Sequence, residues 1–575
     1  MGTSDNAIRR APIIRAYVTV GDRQVHYRRA GDGPPVVLLH QSPKSSAELT
    51  PHLHHLARRF TAIAIDRPGY GGSDPLQSGA PSVEGYVDAL CGTLDALGIG
   101  PCPVYGSRTG AIEALAMTRR HPGRFTAMVI DGLPIMDDAM IARVMRESVD
   151  LVPRPDGGHL AWAWWRIRDR FLFFPWYDAR LAARQDLDMP SAEALHGLTM
   201  DVLRAGEWYA SGPKAALSYR YLPDVEALDV PAAFICREDD HLYGHLDRLP
   251  PLPEGCWIER LPADDELWLS RIEALLAGWS GQQPAPAAPR QPPNQPNAAG
   301  RVTRRYVDTG AGQLLVRGCG DGAGAADGGV PLLVVHDAAA SSTQLQGLMM
   351  DLGDGRRVIV PDLPGCGDSD RGGPPTMDGY IEALLAVADG FGIGPFDLYG
   401  VGAGAHVAAA LAAQAVGRVR RLVLRGALIL DSDQRADLGG NFGAPIALRQ
   451  DGAHLMTVWS MVRDMELFWP WYDRTRRAIR WSEPALDPNR LQARLLDVLK
   501  QPDTWHCLGL AAYGFPLADV LAAIKAPTLV CAAPGDVGWP AREIVAGLIP
   551  GACLQDLPDD AASACARIAE FLDRT

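Results

Sequence analysis

Lysine is almost missing from this chain: Lys44, Lys214, Lys500 and Lys525 are the only ones in 575 residues. The basic side chains are therefore nearly all arginine. Even so, 68 acidic residues outnumber 55 basic ones, giving a formal net charge of −13. That balance repels nucleic-acid phosphates and anionic headgroups, so neither nucleic acid nor membrane is expected as a partner. No stretch of about 18 apolar residues is present that could span a bilayer. The start, MGTSDNAIRRAPII, holds no apolar signal core. None of the ten cysteines is spaced C-x-x-C, which favours unpaired thiols in a reducing compartment over a disulfide framework or zinc site. The expectation is a cytoplasmic protein with no metal and no other cofactor.

What is present points to a duplicated, globular chain. Apolar residues make up 47% of the sequence, ample for burial, and the length is too great for one core. The segment Gly281 to Gly300, GQQPAPAAPRQPPNQPNAAG, has nothing to build a core from and reads as an extended tether. On either side of it the sequence repeats. VVLLHQSPKSS, with His40, answers to LLVVHDAAASS, with His336; AIDRPGYGGSD, with Asp66, answers to VPDLPGCGDSD, with Asp362. VYGSRTGA answers to LYGVGAGA, the segments around His159 and His454 both end in PWYD, and Asp240 answers to Asp536. The offset stays near 295 throughout, which is the mark of a whole duplicated domain. Domains of 1–280 and 301–575, joined by a linker at 281–300, follow. The two copies are expected to pair as a pseudo-dimer, with further homo-oligomerisation open.

Within each copy, short apolar runs such as PPVVLLH and TAIAID alternate with longer helical stretches, the pattern of a mostly parallel sheet covered on both faces. After Asp131 the alternation breaks into a segment holding Trp162, Trp164, Trp165, Phe171, Phe173, Phe174, Trp176 and Tyr177. It reads as an aromatic helical lid, at about 135–205 and again at about 430–500.

One frame decides the chemistry. Gly106-Ser107-Arg108-Thr109-Gly110, after an apolar run and before an alanine-rich helix, fits a strand-to-helix elbow whose middle residue is lifted towards substrate. With the HQSP loop, the DRPGYGGSD turn and a late-strand aspartate in the same order, both copies resemble the α/β-hydrolase superfamily. That resemblance implies a raised nucleophile, an acid, and a histidine after the last strand. Here the apex residues are Arg108 and Gly402, neither a nucleophile. The acid positions hold Asp240 and Asp536. ERLPADDELWLSR and QDLPDDAASACAR contain no histidine, only the pairs Asp264–Asp265 and Asp559–Asp560. Both copies lack a serine triad.

In the first copy the amides of Gln41 and Thr109, a helix N-terminus and Arg108 would together form an anion site. In the second, Asp337 takes the loop position and would repel a developing oxyanion, so the first copy is the candidate catalyst. Arg108, His159 and Asp240 are the candidate catalytic residues; Gln41, Ser42, Thr109, Trp164, Trp176 and Tyr177 are the candidate substrate contacts. Plainer readings stand beside these. Arg108 as a structural plug paired with Asp240 or Asp131, His40 as a loop-orienting residue, and Asp240 as a helix cap are each reasonable. His159 and His454 as shared packing residues, PWYD as a proline-led helix start, and His52, His54 and His55 as solvated helix residues are likewise plain. Three functions remain: a non-hydrolytic enzyme (lyase, hydratase, decarboxylase or isomerase) acting on a small carbonyl or carboxylate compound, a degenerate binding or scaffold protein, and a hydrolase using Ser107 or Ser42.

Overall fold

The computed structural model describes residues 11–76, 81–289, 301–310, 312–320, 329–353 and 355–574. The chain divides into two compact units. The first contains an eight-stranded sheet: β1 (Ile14–Val20), β2 (Arg23–Ala30), β3 (Pro35–Leu39), β4 (Thr61–Ile65), β5 (Cys102–Ser107), β6 (Phe125–Asp131), β7 (Ala232–Arg237) and β8 (Cys256–Leu261). Its spatial order is β1-β2-β4-β3-β5-β6-β7-β8. β1 and β2 run antiparallel to their neighbours, and every later pairing is parallel. The second sheet repeats the scheme with β9 (Thr303–Thr309), β10 (Gly312–Cys319), β11 (Leu332–Val335), β12 (Val358–Pro361), β13 (Phe396–Val401), β14 (Val419–Arg425), β15 (Thr528–Ala532) and β16 (Cys553–Asp556). Its order, β9-β10-β12-β11-β13-β14-β15-β16, is that of the first sheet.

Composition explains the layering. TAIAI of β4 is buried along its whole length and PVVLL of β3 nearly so, because helices cover both faces of the sheet centre. The edge strand β8, CWIERL, mixes polar residues into its run and stays largely exposed. All ten cysteines are unpaired, and no helix among the described residues is long and apolar enough to cross a membrane.

Between β6 and β7 the first chain segment leaves the sheet as helices Asp138–Glu147, Gly158–Asp169, Ala192–Ala205 and Ser211–Ser218. Two expectations are corrected here. PWYD at 175–178 is a turn and not a helix start; it closes the short bridge between Phe173 and Arg184. His52 and His55, on helix Thr50–Leu56, are buried and not solvated. The tether is also less free at its start than its composition suggests. Ala285 donates to Gly33 O at 3.0 Å, and Arg29 donates to Pro286 O at 2.6 Å. Residues 290–300 of the tether lie outside the described residues.

Candidate active site

The elbow between β5 and helix Thr109–Arg120 puts Arg108 at its apex with φ 52° and ψ −107°. Only Arg108 and Ala339 have positive φ among the described non-glycine residues, and a side chain in that region costs about 1–2 kcal/mol. Gly110 lets the helix close on the sheet, since a Cβ there would stand 2.8 Å from His40 O. Backbone strain is thus concentrated where the guanidinium is presented.

Arg108 faces a cavity of about 350 Å³ lined by residues including Gln41, Glu48, His52, Asp131, Arg170, Asp240 and His241. Its guanidinium binds Asp240 Oδ2 at 2.5 Å. Burial alone would raise the Asp240 carboxyl, but Arg108, His241 and the Leu242 N–H together outweigh it and hold the group below the usual carboxylate range. Asp240 is also fixed from behind, accepting from Leu242 N at 2.8 Å. His241 completes the cluster: its Nε2 lies 3.4 Å from Arg108 Nη1 and its Nδ1 lies 3.6 Å from Asp240 Oδ1. The imidazole stacks on Phe174, with ring centroids 4.0 Å apart. Burial, and then the neighbouring Arg108 charge, push His241 down to about 3, so it is neutral at physiological pH.

Two further groups set the field of the cavity. Asp131 accepts from Tyr105 Oη at 2.7 Å and Trp268 Nε1 at 3.1 Å, and burial pushes its carboxyl up to about 6. Arg170, at the end of the lid helix, has no carboxylate within ion-pair distance among the described residues. Burial, then repulsion from Arg108 and Arg166, push it down to about 10. It remains charged and is the one cavity arginine without an acid, whereas Arg237 is held by Asp239 at 2.8 Å and by Asp265.

Of the residues expected to form the site, Gln41, Arg108 and Asp240 line this cavity. Gln41 turns its amide to Glu48 at 2.6 Å, where Lys44 also donates at 2.8 Å. Ser42 and Thr109 are engaged elsewhere: the Ser42 N–H donates to Thr109 Oγ1 at 2.7 Å, and Arg67 bonds both hydroxyls. His159 and Trp164 are buried in helix Gly158–Asp169. Trp176 and Tyr177 belong to an aromatic cluster, where Trp176 meets Trp162 edge-on at 6.3 Å and carries Arg166 over its ring at 4.4 Å. None of these six lines the cavity. His40 does orient its loop, with Nδ1 against Gln41 O at 2.9 Å and Nε2 accepting from Arg67 N at 3.0 Å.

Sequence reasoning missed His241, Arg170, Glu48 and Trp268. His241 had a signal, since it directly follows the late-strand aspartate, whereas the family pattern places the base after the last strand. In the second unit the acid is neutralised from another direction. Asp536 is gripped by Arg425 at 2.9 and 3.2 Å, from the end of β14 where β6 has Asp131.

Residues 34–155 and 330–448 match the family described as alpha/beta hydrolase fold. The chain carries the α/β-hydrolase fold twice. Among curated proteins, 2-(acetamidomethylene)succinate hydrolase of Mesorhizobium japonicum is 30% identical over 136 residues, 23% of this chain and 49% of that one. A 2-hydroxy-6-oxononadienedioate/2-hydroxy-6-oxononatrienedioate hydrolase of Pseudomonas putida is 34% identical over 116 residues, 19% of this chain and 41% of that one. The chain therefore spans less than half the length of these relatives. Among solved structures, E-2-(acetamidomethylene)succinate hydrolase aligns with 20% identity and a TM-score of 0.35, covering 46% of this chain and 100% of that one.

Ser107 lines the cavity one residue before the α/β-hydrolase apex, and Ser42 is bound to Arg67. Neither stands at the elbow apex beside a histidine base. A fluorophosphonate serine probe is therefore expected to leave this protein unlabelled. Stoichiometric labelling of either serine, mapped by mass spectrometry, would restore a serine-hydrolase mechanism.

Proposed function

We propose that the first copy binds a small carboxylate-bearing carbonyl compound and moves a proton on it without a covalent acyl-enzyme. The observation that carries this reading is the juxtaposition of Arg108, neutral His241 and acid-free Arg170 in one cavity. Arg170 anchors a substrate carboxylate, since a fork of N–H donors on a charged group suits a carboxylate bidentately. Arg108 lies where the elbow would hold a nucleophile and receives negative charge as it develops on the carbonyl oxygen. His241 is neutral beside it with its lone pair open, and the negative charge that develops on the bound substrate raises its basicity so that it can accept a proton from carbon. Asp240 keeps Arg108 in place and faces the other imidazole nitrogen. The succinate and dioate compounds in the relatives' names are consistent with an anionic substrate. Those names favour a second reading, in which His241 activates a water directly and the reaction is hydrolysis without a nucleophilic serine.

Proton NMR of 2-oxo dicarboxylates in D2O tests the proposal. The chain should catalyse exchange of the protons next to the carbonyl, and His241→Gln should slow exchange by about 10²–10⁴-fold. Arg170→Met should weaken binding about 10- to 100-fold, the scale of one charge-assisted bond. Exchange no faster than buffer for every such acid would sink the proton-transfer reading. Cleavage of an enol ester with no exchange would select the hydrolytic one.

A further inference from the structure

The second copy shows what becomes of an elbow whose apex carries no side chain. Gly402 has φ 55° and ψ −120°, the same strained geometry as Arg108. Helix Ala403–Gln414 follows it as helix Thr109–Arg120 follows Arg108. The loop after β11 brings Asp337 against this elbow. Its Oδ1 accepts from Ala403 N at 2.8 Å and from Ala338 N at 2.7 Å, and Tyr513 Oη donates to the same oxygen at 3.4 Å. Ala403 is the residue after the apex and Ala338 lies on the β11 loop, so these are the two sources from which an oxyanion hole is built. The expectation that Asp337 repels an oxyanion is therefore refined: the carboxylate is itself the bound anion.

The two copies differ in a way that accounts for this. In the first, the amide equivalent to Ala338 N is that of Ser42, and Thr109 Oγ1 consumes it at 2.7 Å. In the second, alanine replaces that threonine, and the amide is left for Asp337. At the apex the choice is equally exclusive. A Cβ on Gly402 would stand 2.7 Å from Asp337 Oδ2 and nearer still to Oδ1 and Cγ. A side chain at 402 and a carboxylate at 337 cannot share the space.

We infer that the second copy keeps a formed two-amide oxyanion hole, and that Asp337 fills it as a built-in carboxylate that bars carbonyl substrates from that copy. The site underneath would take a small carboxylate of the size of formate or acetate. One ligand per chain, in the first copy, is the corollary.

Two measurements on the full chain decide it. Asp337→Ala empties the hole, so formate at millimolar concentration should raise the melting temperature of the variant more than that of the parent, by mass action on the folded state. Any formate bound in the first copy is common to both and cancels. Separately, Gly402→Ala should lower the melting temperature in the parent and lower it less than half as much in the Asp337→Ala background. The left-handed backbone strain is common to both backgrounds, so the difference reads the clash alone. An equal formate response in parent and variant, or an equal cost of Gly402→Ala in both backgrounds, would overturn the inference.

Discussion

Arg108→Ala is expected to slow proton exchange on a 2-oxo dicarboxylate by about 10²–10³-fold, the loss in rate seen when a donor is removed from a preorganised oxyanion site. It is also expected to lower stability, because the structure places a 2.5 Å ion pair between Arg108 and Asp240. Deleting one partner of a buried pair strands the other. Each side chain keeps about a fifth of its surface exposed, 19% and 22%, so that cost should fall below the several kcal/mol of a sealed pair. The two effects separate in a double variant. Arg108→Ala with Asp240→Asn removes the stranded charge and should recover most of the lost melting temperature. The exchange rate should not return, since the guanidinium is still missing. Arg108→Lys should exchange slowly as well, because an ammonium cannot reproduce the rigid planar fork of donors held at the carbonyl oxygen. If the double variant regained exchange activity together with stability, Arg108 would be a structural plug and the proposed site would fall.

The duplication and the fold class were legible in the sequence because they depend on patterns that many residues share. A constant offset survives dozens of substitutions, and a buried parallel strand announces itself as an apolar run such as TAIAI. The elbow was legible for a different reason: its glycines are demanded by the close approach of helix to strand, so the frame can be read whatever residue stands at the apex. The contents of the cavity were harder. Arg170 stands just past a lid helix, two residues beyond Arg168 and four beyond Arg166, and nothing local distinguishes it from them. Its role depends on the lid path, a tertiary outcome. His52 illustrates the same limit, sitting on a short helix of mixed polarity. Its burial follows from Tyr105 and Trp268, whose rings stand 4.8 and 4.7 Å away and come from distant parts of the chain. His241 was visible beside Asp240 but was overlooked, because the family pattern directs attention to the segment after the last strand. His159 recurs as His454, and it is buried in helix Gly158–Asp169 together with Trp164. Recurrence in two copies reports shared packing as readily as shared chemistry.

Asp66→Ala is expected to have the largest effect on stability. The turn DRPGYGGSD recurs in the second copy as DLPGCGDSD, and the structure shows why its first residue is needed. Asp66 is 1% exposed and accepts from His26 Nδ1 at 2.7 Å, Ser46 N at 2.5 Å and Gly72 N at 2.8 Å. It thereby ties β2, the loop after β3 and the turn after β4. Asp362 does the same in the second unit, accepting from Ser342 N at 2.8 Å and Asp368 N at 2.9 Å. Alanine at 66 leaves the buried Ser46 amide, the half-buried Gly72 amide and a buried imidazole without their acceptor, a loss of about 3–5 kcal/mol. At about 2 °C per kcal/mol for a domain of about 280 residues, the first unit should melt several degrees lower. Asp66→Asn should be nearly as damaging, because its amide group offers donors to a site built only of donors. Glu226→Gln, at an exposed position, should stay within about 0.5 kcal/mol of the parent. The pH dependence has a definite sign. Burial alone would raise the Asp66 carboxyl, but His26 and the donated N–H bonds hold it well below the usual range. A depressed carboxylate contributes its full stability above the unfolded value of about 3.9 and loses it progressively below. The gap between parent and Asp66→Ala, followed by urea unfolding, should therefore be constant from neutral pH to about 5 and then narrow as the pH falls. A gap that does not change down to pH 3, or an asparagine that is tolerated, would mean that the buried charge does not hold this turn.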